Sequence, residues 1–448
     1  MSDSAPARPG VLVVGAGSAG VAAAIASAET GADTLLVEAS GHVGGTLARQ
    51  LLEHSAGFHD ANGNQVTGGV GQRIITLLQD YGGSPGHIRD DTAYTATRTP
   101  VNHAELAICE AILLHRAGVM LMLNTFVVDV AADAGMIRKV TTETPGIGRT
   151  TIEPAVVVDC SGDAVVFELA GAAFQTDRPS ATQPASLLLK LGGVDFGPLM
   201  RYAAGHPADF RAGGHIGSPH DEHVNLWGFG RLLAAGHADG RLSWRRTELH
   251  LAGWPARGEA VLNLTRATVD AVHQPGAAYL VLAQQVMQAV SWFRDYVPGG
   301  RRAYLAHVAD RVGVRESRRI AGLATLTRED VVGGLHSDQS IGLGAFPIDV
   351  HDAASPGMSH ADCLTAAYDI PYGILVARDL TNLLAGGRCV STTHEANGSA
   401  RITATCFTTG EAAGCAAALV GRDGADARHI DVGALQAHLR SRGVIGRW

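Results

Sequence analysis

The segment Val11–Gly20, VLVVGAGSAG, decides the fold of this 448-residue chain. Its four leading apolar residues are typical of a central parallel strand that is buried on both faces. Gly15 then allows a tight turn, Gly17 lets the backbone approach a pyrophosphate, and Gly20 lets the next helix pack closely on the strand. The N-terminus of that helix would point free N–H groups at the phosphates. We therefore predict a Rossmann-type β-α-β unit that binds a dinucleotide.

A second strand and an acidic residue follow in the expected order. Thr34–Val37 is apolar, and Glu38 ends it eighteen residues after Gly20. A carboxylate at this place accepts hydrogen bonds from ribose hydroxyls and would repel a 2′-phosphate. The pair Gly44–Gly45 comes six residues later. A glycine pair there is characteristic of FAD-binding Rossmann proteins, although an ordinary loop is the alternative, and it favours FAD over NAD.

Two further strands belong to the same predicted unit. Val119–Leu123 reads as a buried strand, and the segment after it resembles the place where FAD enzymes hold adenine with the backbone of a valine, here Val127. A plain core strand is the alternative for this segment. Ala155–Asp159 is another buried strand, and the turn after it would bring Gly162 and Asp163 beside the FAD phosphates. Asp163 could equally cap the next helix.

The C-terminal part has its own pattern. The apolar segment Asn382–Ala385 leads to a Gly387–Arg388 turn, and a polar loop runs from His394 to Arg401. A long stretch of small residues with helical character follows, from about Ile402 to Leu419. Small residues at the start of a helix allow close approach of its backbone N–H groups, which favour negative charge.

With this pattern the sequence resembles the large family of FAD-dependent oxidoreductases that is related to the flavoproteins of succinate dehydrogenase and fumarate reductase. Val314–Gly322 and Ile370–Gly373 strengthen the resemblance, whereas residues between about Leu191 and Arg301 match no known pattern. The resemblance implies that the closing helix points its N-terminus at the pyrimidine edge of the isoalloxazine. It also implies an FAD-binding set, which comprises Gly15, Gly17, Ser18, Ala19, Gly20, Glu38, Ala39, Gly44, Gly45, Thr46, Val127, Gly162, Asp163, Gly387, Arg388, Ser399, Ala400 and Arg401.

Candidates for proton and charge handling lie in the C-terminal loop. His394 could donate or accept a proton near neutral pH, or it could be a loop histidine bonded to backbone. Arg401 could hold the flavin carbonyls or a substrate carboxylate, or it could form a structural salt bridge. Tyr372 follows a proline and could line the site, with core packing as the alternative.

Other candidates lie earlier in the chain. Arg315 could bind an anionic substrate, as arginines do in the fumarate-reductase group, although a core pairing of Glu316 with an arginine is the alternative. His59 follows the Gly44–Gly45 turn in a loop that often borders the isoalloxazine in this class, and His54 lies in the same loop. The surroundings of His42 do not match a covalent flavin link. We expect His103 and His223 at the surface.

The composition argues against several classes of protein. The net charge is −8 with 17% charged residues, and no block rich in Lys and Arg stands out; this argues against binding to nucleic acid. The six cysteines show no CxxC spacing, so we expect no metal site and reduced thiols. Neither a signal peptide nor an apolar stretch long enough to cross a bilayer is visible, which predicts a soluble, cytoplasmic protein.

These features predict an α/β enzyme. Its Rossmann-like FAD domain would be built from residues 1–180 and 358–448, and an inserted α+β substrate or cap domain, from about Ala181 to Gly357, would cover the flavin. The expected function is a dehydrogenase or oxidase that moves a hydride from a small organic substrate to flavin N5.

The alternatives are a flavin monooxygenase and a flavoprotein subunit that passes electrons to a partner. No second GxGxxG motif follows a strand, since Leu233 replaces the third glycine after Gly228 and Gly230. Dioxygen, a small acceptor or a partner protein must then reoxidise the flavin. The sequence leaves a homo-oligomer open.

Overall fold

The fold is taken from a computed structural model that describes residues 8–92, 94–175, 183–211, 215–351, 359–360 and 366–448. Its α-helices are α1 Ser18–Glu29, α2 Gly45–Ala48, α3 Gly69–Asp80, α4 His103–Arg116, α5 Val165–Leu169, α6 Phe196–Gly205, α7 Gly230–Ala238, α8 Pro275–Tyr296, α9 Arg328–Val332, α10 His394–Ala400, α11 Thr403–Asp423 and α12 Val432–Ser441. Its strands are β1 Val11–Val14, β2 Thr34–Val37, β3 His54–Ala56, β4 Ile88–Arg89, β5 Thr97–Pro100, β6 Met120–Met122, β7 Phe126–Asp133, β8 Met136–Thr144, β9 Gly148–Ile152, β10 Val156–Asp159, β11 Phe174–Gln175, β12 Leu189–Gly192, β13 Val224–Gly228, β14 Leu249–Trp254, β15 Glu259–Asn263, β16 Tyr304–Val308, β17 Arg319–Ile320, β18 Ser340–Gly344, β19 Asp349–Val350, β20 Ser359–His360, β21 Tyr368–Pro371 and β22 Leu383–Ala385.

The first main sheet is parallel, with five strands in the order β22-β10-β1-β2-β6. Val11 pairs with Val156 on one side and with Thr34 on the other, so β1 is central. The residues of β1, β2, β10 and β22 are buried throughout, as expected of strands covered on both faces. The predicted α/β fold with a Rossmann-like parallel sheet is confirmed.

The two ends of the chain meet because α1 and α11 pack with almost no gap. A Cβ atom on Gly410 would lie 2.1 Å from the carbonyl oxygen of Ala19, and one on Gly414 would lie 2.1 Å from that of Ala23. Glycine is therefore required at both positions of α11, where the helix backbones touch. This contact places the start of α11 beside the turn between β1 and α1.

The middle of the chain forms a second, antiparallel sheet of order β13-β14-β15-β12-β16. Its inner face packs with α8 in a hydrophobic core of its own, which includes Leu226, Leu251, Leu262, Val290 and Phe293. The core under the parallel sheet draws instead on residues from both ends of the chain. An antiparallel sheet with one covered face leaves its other face free to line a site.

The boundaries predicted for the cap domain stay a prediction, because Ala181 and Gly357 lie outside the described residues. Cys363 does so too, and the five cysteines that are described are all buried and free. Among the described helices, none is long and apolar enough to cross a membrane.

Candidate functional site

The turn between β1 and α1 is as tight as the sequence predicts. Gly15 has a φ of +96°, and a Cβ there would lie 2.6 Å from the carbonyl oxygen of Cys160. A Cβ on Gly20 would lie 1.7 Å from the carbonyl oxygen of Gly15. Gly17 differs, since its Cβ would meet only the Cα of Gly45, at 3.8 Å. Gly15 and Gly20 thus allow the close packing of the turn, and Gly17 leaves open space over it.

The glycine pair that follows Glu38 packs onto this turn. Gly44 and Gly45 have φ values of +107° and +44°, and the Gly44 amide donates to the carbonyl oxygen of Ala16 at 2.9 Å. A Cβ on Gly45 would lie 2.6 Å from the Cα of Gly17. The two glycine-rich segments therefore form one continuous cradle.

Glu38 closes the end of this cradle. One carboxylate oxygen accepts a hydrogen bond from the Ala16 amide at 2.7 Å, and the other accepts from the Ser40 amide at 2.9 Å and from the Ser40 hydroxyl at 2.5 Å. A carboxylate has about four acceptor positions, so these three bonds leave one unused. Glu38 can therefore fix the turn and still accept from a ligand hydroxyl.

The opposite wall comes from the turns after β10 and β22. Asp163 accepts hydrogen bonds from Arg388 at 2.8 Å and from Ser317 at 2.6 Å, and this network joins three distant segments. Burial is the largest single effect and raises the pKa of the Asp163 carboxyl, but the charges of Arg388 and Arg311 and the hydrogen bonds from Ser317 and Arg388 together hold that pKa below its ordinary value. The N-cap alternative does not apply to Asp163, because the carboxylate that reaches the Val166 amide, at 2.8 Å, is that of Asp159.

One cavity of about 310 Å³ runs from this cradle to the antiparallel sheet. Its residues from the cradle include Gly15, Gly17, Ser18, Ala19, Glu38, Gly45, Thr46, Gly162, Asp163, Gly387 and Arg388. Among the predicted cofactor residues, Gly20, Ala39, Gly44, Val127, Ser399 and Ala400 do not line it; Gly20 and Gly44 act instead by allowing the close packing described above.

The far end of the cavity is an aromatic and polar chamber, which comprises His54, Asp90, Tyr94, Arg98, Asn225, Trp227 and His250. The ring of His250 lies edge-on to His54 at 4.7 Å and to Trp227 at 5.0 Å. Burial is the main cause that lowers the pKa of His54 to about 4 and the pKa of His250 well below its ordinary value. Both imidazoles are neutral at neutral pH.

Arg98 is the buried cation of this chamber, with 2% of its surface exposed. Its Nη2 donates to Asp91 and to the carbonyl oxygen of His223. Its Nε and Nη1 have no hydrogen-bond partner among the described residues. A buried guanidinium with open donors is costly unless a ligand meets them, which makes Arg98 a candidate ligand-binding residue.

A second cationic group lies beside the start of α11. Arg401 donates from Nη2 to the carbonyl oxygen of Asp349 at 2.9 Å and approaches its carboxylate at 3.4 Å. Arg315 donates from Nη1 to the carbonyl oxygen of Pro184 at 2.5 Å and to the Ser186 hydroxyl at 2.8 Å. Burial, followed by the charge of Arg401, lowers the pKa of Arg315 to about 9, so Arg315 stays charged at neutral pH. Both arginines line the cavity.

Three predicted catalytic residues do not line the cavity. His394 begins α10 and lies 2.7 Å from the buried carboxylate of Glu316. Tyr372 is 3% exposed and donates its hydroxyl to the carbonyl oxygen of Ala427 at 2.8 Å, which is the core-packing alternative. His59 pairs with the Thr97 hydroxyl at 3.0 Å. Of the five catalytic candidates, only Arg315 and Arg401 reach the cavity.

The residues that the sequence analysis missed come from β5, from the loop between β4 and β5, and from the antiparallel sheet. His250 and Asn225 lie in the segment that matched no pattern, and nothing in the order of residues there marks a site. His223, expected at the surface, is 2% exposed and packs on Trp254 with a ring distance of 4.9 Å. His103, likewise, is partly buried and lies 2.5 Å from Glu53. The surface assignment of His223 was wrong, whereas the His103 side chain is still 18% exposed.

The cradle fits a dinucleotide cofactor. No side chain caps the N-terminus of α1, so its first amides are free to meet phosphate oxygens. The hydroxyl of Ser18 is buried there without a hydrogen-bond partner among the described residues. The open space over Gly17 lies beside both groups. Across the described parts of the chain, no group of three or more His, Cys, Asp or Glu residues could hold a metal ion.

The match of the chain to a protein family agrees with this fit. A family model described as FAD dependent oxidoreductase matches residues 10–439. No curated protein sequence matches the chain. Among solved structures, a geranylgeranyl bacteriochlorophyll reductase-like protein from Thermoplasma acidophilum is 12% identical, with 97% of this chain and 82% of that chain covered and a TM-score of 0.47. A flavin-dependent brominase is 13% identical, with coverages of 97% and 83% and a TM-score of 0.49. A p-nitrophenol 4-monooxygenase from Pseudomonas putida is 11% identical, with coverages of 96% and 84% and a TM-score of 0.47. Such distant likenesses carry no information about the activity of this chain.

Proposed function

Because this chain belongs to the FAD-dependent oxidoreductase family, we propose that it oxidises a small organic substrate by hydride removal, as a dehydrogenase or an oxidase. The chain is an enzyme that uses FAD, and the chemistry that FAD supplies when bound is the acceptance of a hydride from carbon. The observation that carries the proposal is the cavity that joins the dinucleotide cradle to the chamber around His250. A substrate in that chamber would be enclosed by aromatic rings and a few polar groups.

The cradle residues would hold the cofactor in the following way. Ser18 and the free amides of α1 would bind the pyrophosphate, Glu38 would accept from ribose hydroxyls, and Gly17 and Gly45 would admit the phosphates by having no side chain. Asp163 and Arg388, tied to each other at 2.8 Å, would shape the second wall.

Arg401 and Arg315 would supply the positive charge that a reduced cofactor requires. Arg401 immediately precedes the N-terminal end of α11, where Ile402 and Thr403 also line the cavity. A helix N-terminus and two partly buried guanidinium groups together favour a negative charge that develops nearby. Arg401 is held by Asp349, so it is preorganised rather than free to move.

We further propose that the chain is related to the flavoproteins of succinate dehydrogenase and fumarate reductase. The support is the order of elements in the C-terminal part: the strand β22, the Gly387–Arg388 turn, the short helix α10 that is followed by Arg401, and α11. The electron acceptor would be dioxygen, a small molecule or a partner protein, and the place of action would be the cytoplasm.

The test is anaerobic incubation of the FAD-loaded enzyme with a panel of small alcohols, amines and organic acids. Reduction of the flavin is monitored as the loss of the visible absorbance of its oxidised form. Reduction by at least one compound is expected, with formation of one oxidised product for each flavin. Oxygen uptake on re-aeration separates an oxidase from a dehydrogenase. Reduction by NADPH and by no organic compound would contradict the proposal and support the monooxygenase alternative.

Replacing Glu38 by alanine is expected to weaken FAD binding without changing the rate of flavin reduction in the fully loaded enzyme. The carboxylate makes charge-assisted hydrogen bonds, and such bonds contribute roughly 1.5–3 kcal/mol each. The measurement is the dissociation constant of FAD by equilibrium titration of stripped protein. Asp60→Ala is a matched control, since Asp60 also fixes a turn through two amides but lies outside the cavity. FAD affinity equal to wild type in the Glu38 variant would mean that the ribose is held otherwise.

A further inference from the structure

A line of hydrogen bonds crosses the chamber from Asp90 to His250. The Asn225 amide group donates from Nδ2 to Asp90 Oδ1 at 3.3 Å, and its Oδ1 lies 2.6 Å from His250 Nε2. Asn225 and His250 lie on the neighbouring strands β13 and β14, where Trp227 pairs with His250. Residues two apart on a strand share a face, so Asn225 and His250 are diagonal neighbours on the face that lines the cavity.

This line fixes the orientation of every polar group in it. A carboxylate only accepts hydrogen bonds, so the side of Asn225 that faces Asp90 must be its amino group. The carbonyl oxygen of Asn225 then faces His250, and Nε2 must carry a proton to donate to it. His250 is thereby held with a bare Nδ1. No described residue hydrogen-bonds to that nitrogen, and unlike His54 Nδ1 it is not sealed from solvent.

The surroundings keep His250 uncharged. The groups of other elements that face it are mostly cationic or neutral: His54, Arg98, Arg211 and Arg246, with Asp90 reached only through Asn225. Burial first and these charges next lower its pKa well below the ordinary value. A neutral imidazole with one bare nitrogen can accept a proton from a ligand.

We propose that His250 accepts, through Nδ1, the hydroxyl proton of an alcohol substrate, and that Asn225 and Asp90 are positioning residues that hold its tautomer. This inference rests on the proposed function. The C–H bond of the carbinol carbon breaks with its electron pair, the hydride goes to oxidised FAD, the hydroxyl proton goes to His250, and a carbonyl compound is left. The substrate class is therefore a primary or secondary alcohol.

His54 is a poorer candidate than His250 for the proton acceptor. It also lines the chamber, but its imidazole makes no hydrogen bond to any described residue, and its Nδ1 is buried without a partner. Nothing in the described part of the chain therefore selects one of its two neutral tautomers. A proton acceptor needs its bare nitrogen aimed at the reacting group, and of these two histidines His250 is the one with a bonded chain that provides this.

The substitution Asp90→Asn tests the line directly. Asp90 Oδ2 accepts from two amides, those of Tyr94 and Thr95 at 3.1 and 3.0 Å, whereas Oδ1 accepts from one, that of Thr92 at 3.2 Å, so we expect the carbonyl oxygen of the new side chain at the Oδ2 position. Its amino group then faces Asn225, which must turn over and present its own amino group to His250. Nε2 becomes the acceptor and the proton moves to Nδ1, which removes the base without removing the histidine.

The first readout is the tautomer of His250 in the FAD-loaded enzyme at neutral pH, from nitrogen NMR of histidine-labelled protein with the signal assigned by His250→Gln. We expect the neutral Nε2–H form in the wild type and the Nδ1–H form in Asp90→Asn. Asp60→Asn is the matched control, because Asp60 accepts from the Asn64 amide side chain at 3.0 Å in a similar turn outside the cavity. A charged or Nδ1–H His250 in the wild type would overturn the proposal.

The second readout is the rate of flavin reduction by whichever alcohols reduce the enzyme. Asp90→Asn should slow reduction by about 100-fold or more, the usual contribution of a general base, with a much smaller change in KM. Asp60→Asn should keep the wild-type rate. A switched tautomer with an unchanged rate would overturn the role of His250 as base. If only compounds without a hydroxyl group reduce the flavin, the alcohol inference fails while the proposed function stands; if no compound does, both fail.

Discussion

Replacing Gly17 by valine is expected to give a folded protein that carries no FAD. Gly17 has a φ of −79° and a ψ of −174°, an extended conformation that valine adopts readily. Among the described residues other than its two chain neighbours, the nearest atom to a Cβ there would be the Cα of Gly45, at 3.8 Å, so we expect the fold to accept the added side chain. The side chain would instead occupy the open space over the turn, where the pyrophosphate must lie if Gly17 acts as proposed.

The expected loss of affinity is at least about 1000-fold, or roughly 4 kcal/mol, because a steric block in a rigid cradle cannot be relieved by small movements. The measurement is the ratio of flavin to protein after purification, together with the thermal unfolding curve of the stripped protein. Gly276→Val is the matched control, since a Cβ at Gly276 in α8 meets no atom of the described residues within 4 Å and lies away from the cavity. Wild-type FAD content in Gly17→Val would refute the role of this glycine.

Gly20→Val tests a glycine that is needed for packing, in contrast to Gly17→Val, which tests one that is needed for binding. Its Cβ would lie 1.7 Å from the carbonyl oxygen of Gly15, which is part of the backbone and cannot move aside. This variant should therefore fail to fold, whereas Gly17→Val should fold and stay colourless. The two outcomes together separate the binding role of the turn from its packing role.

The sequence predicted the glycine-rich cradle well, because the constraints on its backbone are local. The positions of Gly15, Gly17 and Gly20 within one turn, with Glu38 at the next strand end, are set by backbone geometry over a few residues. The meeting of α1 with α11 was implied only by the family resemblance. Its physical cause, the contact of Gly410 and Gly414 with α1, could not be derived without knowing which helices cross.

The sequence predicted the candidate proton-transfer residues poorly, for two physical reasons. His394 was expected in a loop, but Thr393 caps a helix there with its hydroxyl and the turn directs His394 toward Glu316. His250 and Asn225 meet across two strands and 25 residues. Their pairing depends on the register of the antiparallel sheet, which no short motif specifies.

A buried acid under the glycine cradle is expected to make the stability of the protein depend strongly on pH. Glu110 in α4 is 0% exposed, and neither of its carboxylate oxygens has a hydrogen-bond partner among the described residues. It lies beside the cradle, since a Cβ on Gly44 would be 3.2 Å from its Oε2. Burial raises the pKa of Glu110 to about 8. The folded protein therefore holds a proton at this site that the unfolded chain releases near its ordinary pKa.

The sign of the pH dependence follows from this difference. Between the unfolded value near 4.5 and the folded value near 8, the folded state binds one more proton, so the free energy of unfolding falls as the pH rises. At pH 7 the loss is on the order of 3 kcal/mol relative to a side chain that never ionises. Below about pH 4.5 the loss vanishes, and above about pH 8 it no longer grows.

Glu110→Gln is the variant that isolates this effect, because glutamine has nearly the same shape and stays neutral. Its melting temperature should match that of the wild type near pH 4.5 and exceed it by a margin that grows up to about pH 8. Glu222→Gln, at a solvent-exposed position, is the matched control and should follow the wild type at every pH. Because Glu110 lies against the cradle, FAD retention by the wild type should also decline toward the upper end of this range, and the Glu110→Gln variant should keep its FAD. A constant difference in melting temperature across this range would mean that Glu110 is already ionised in the folded protein.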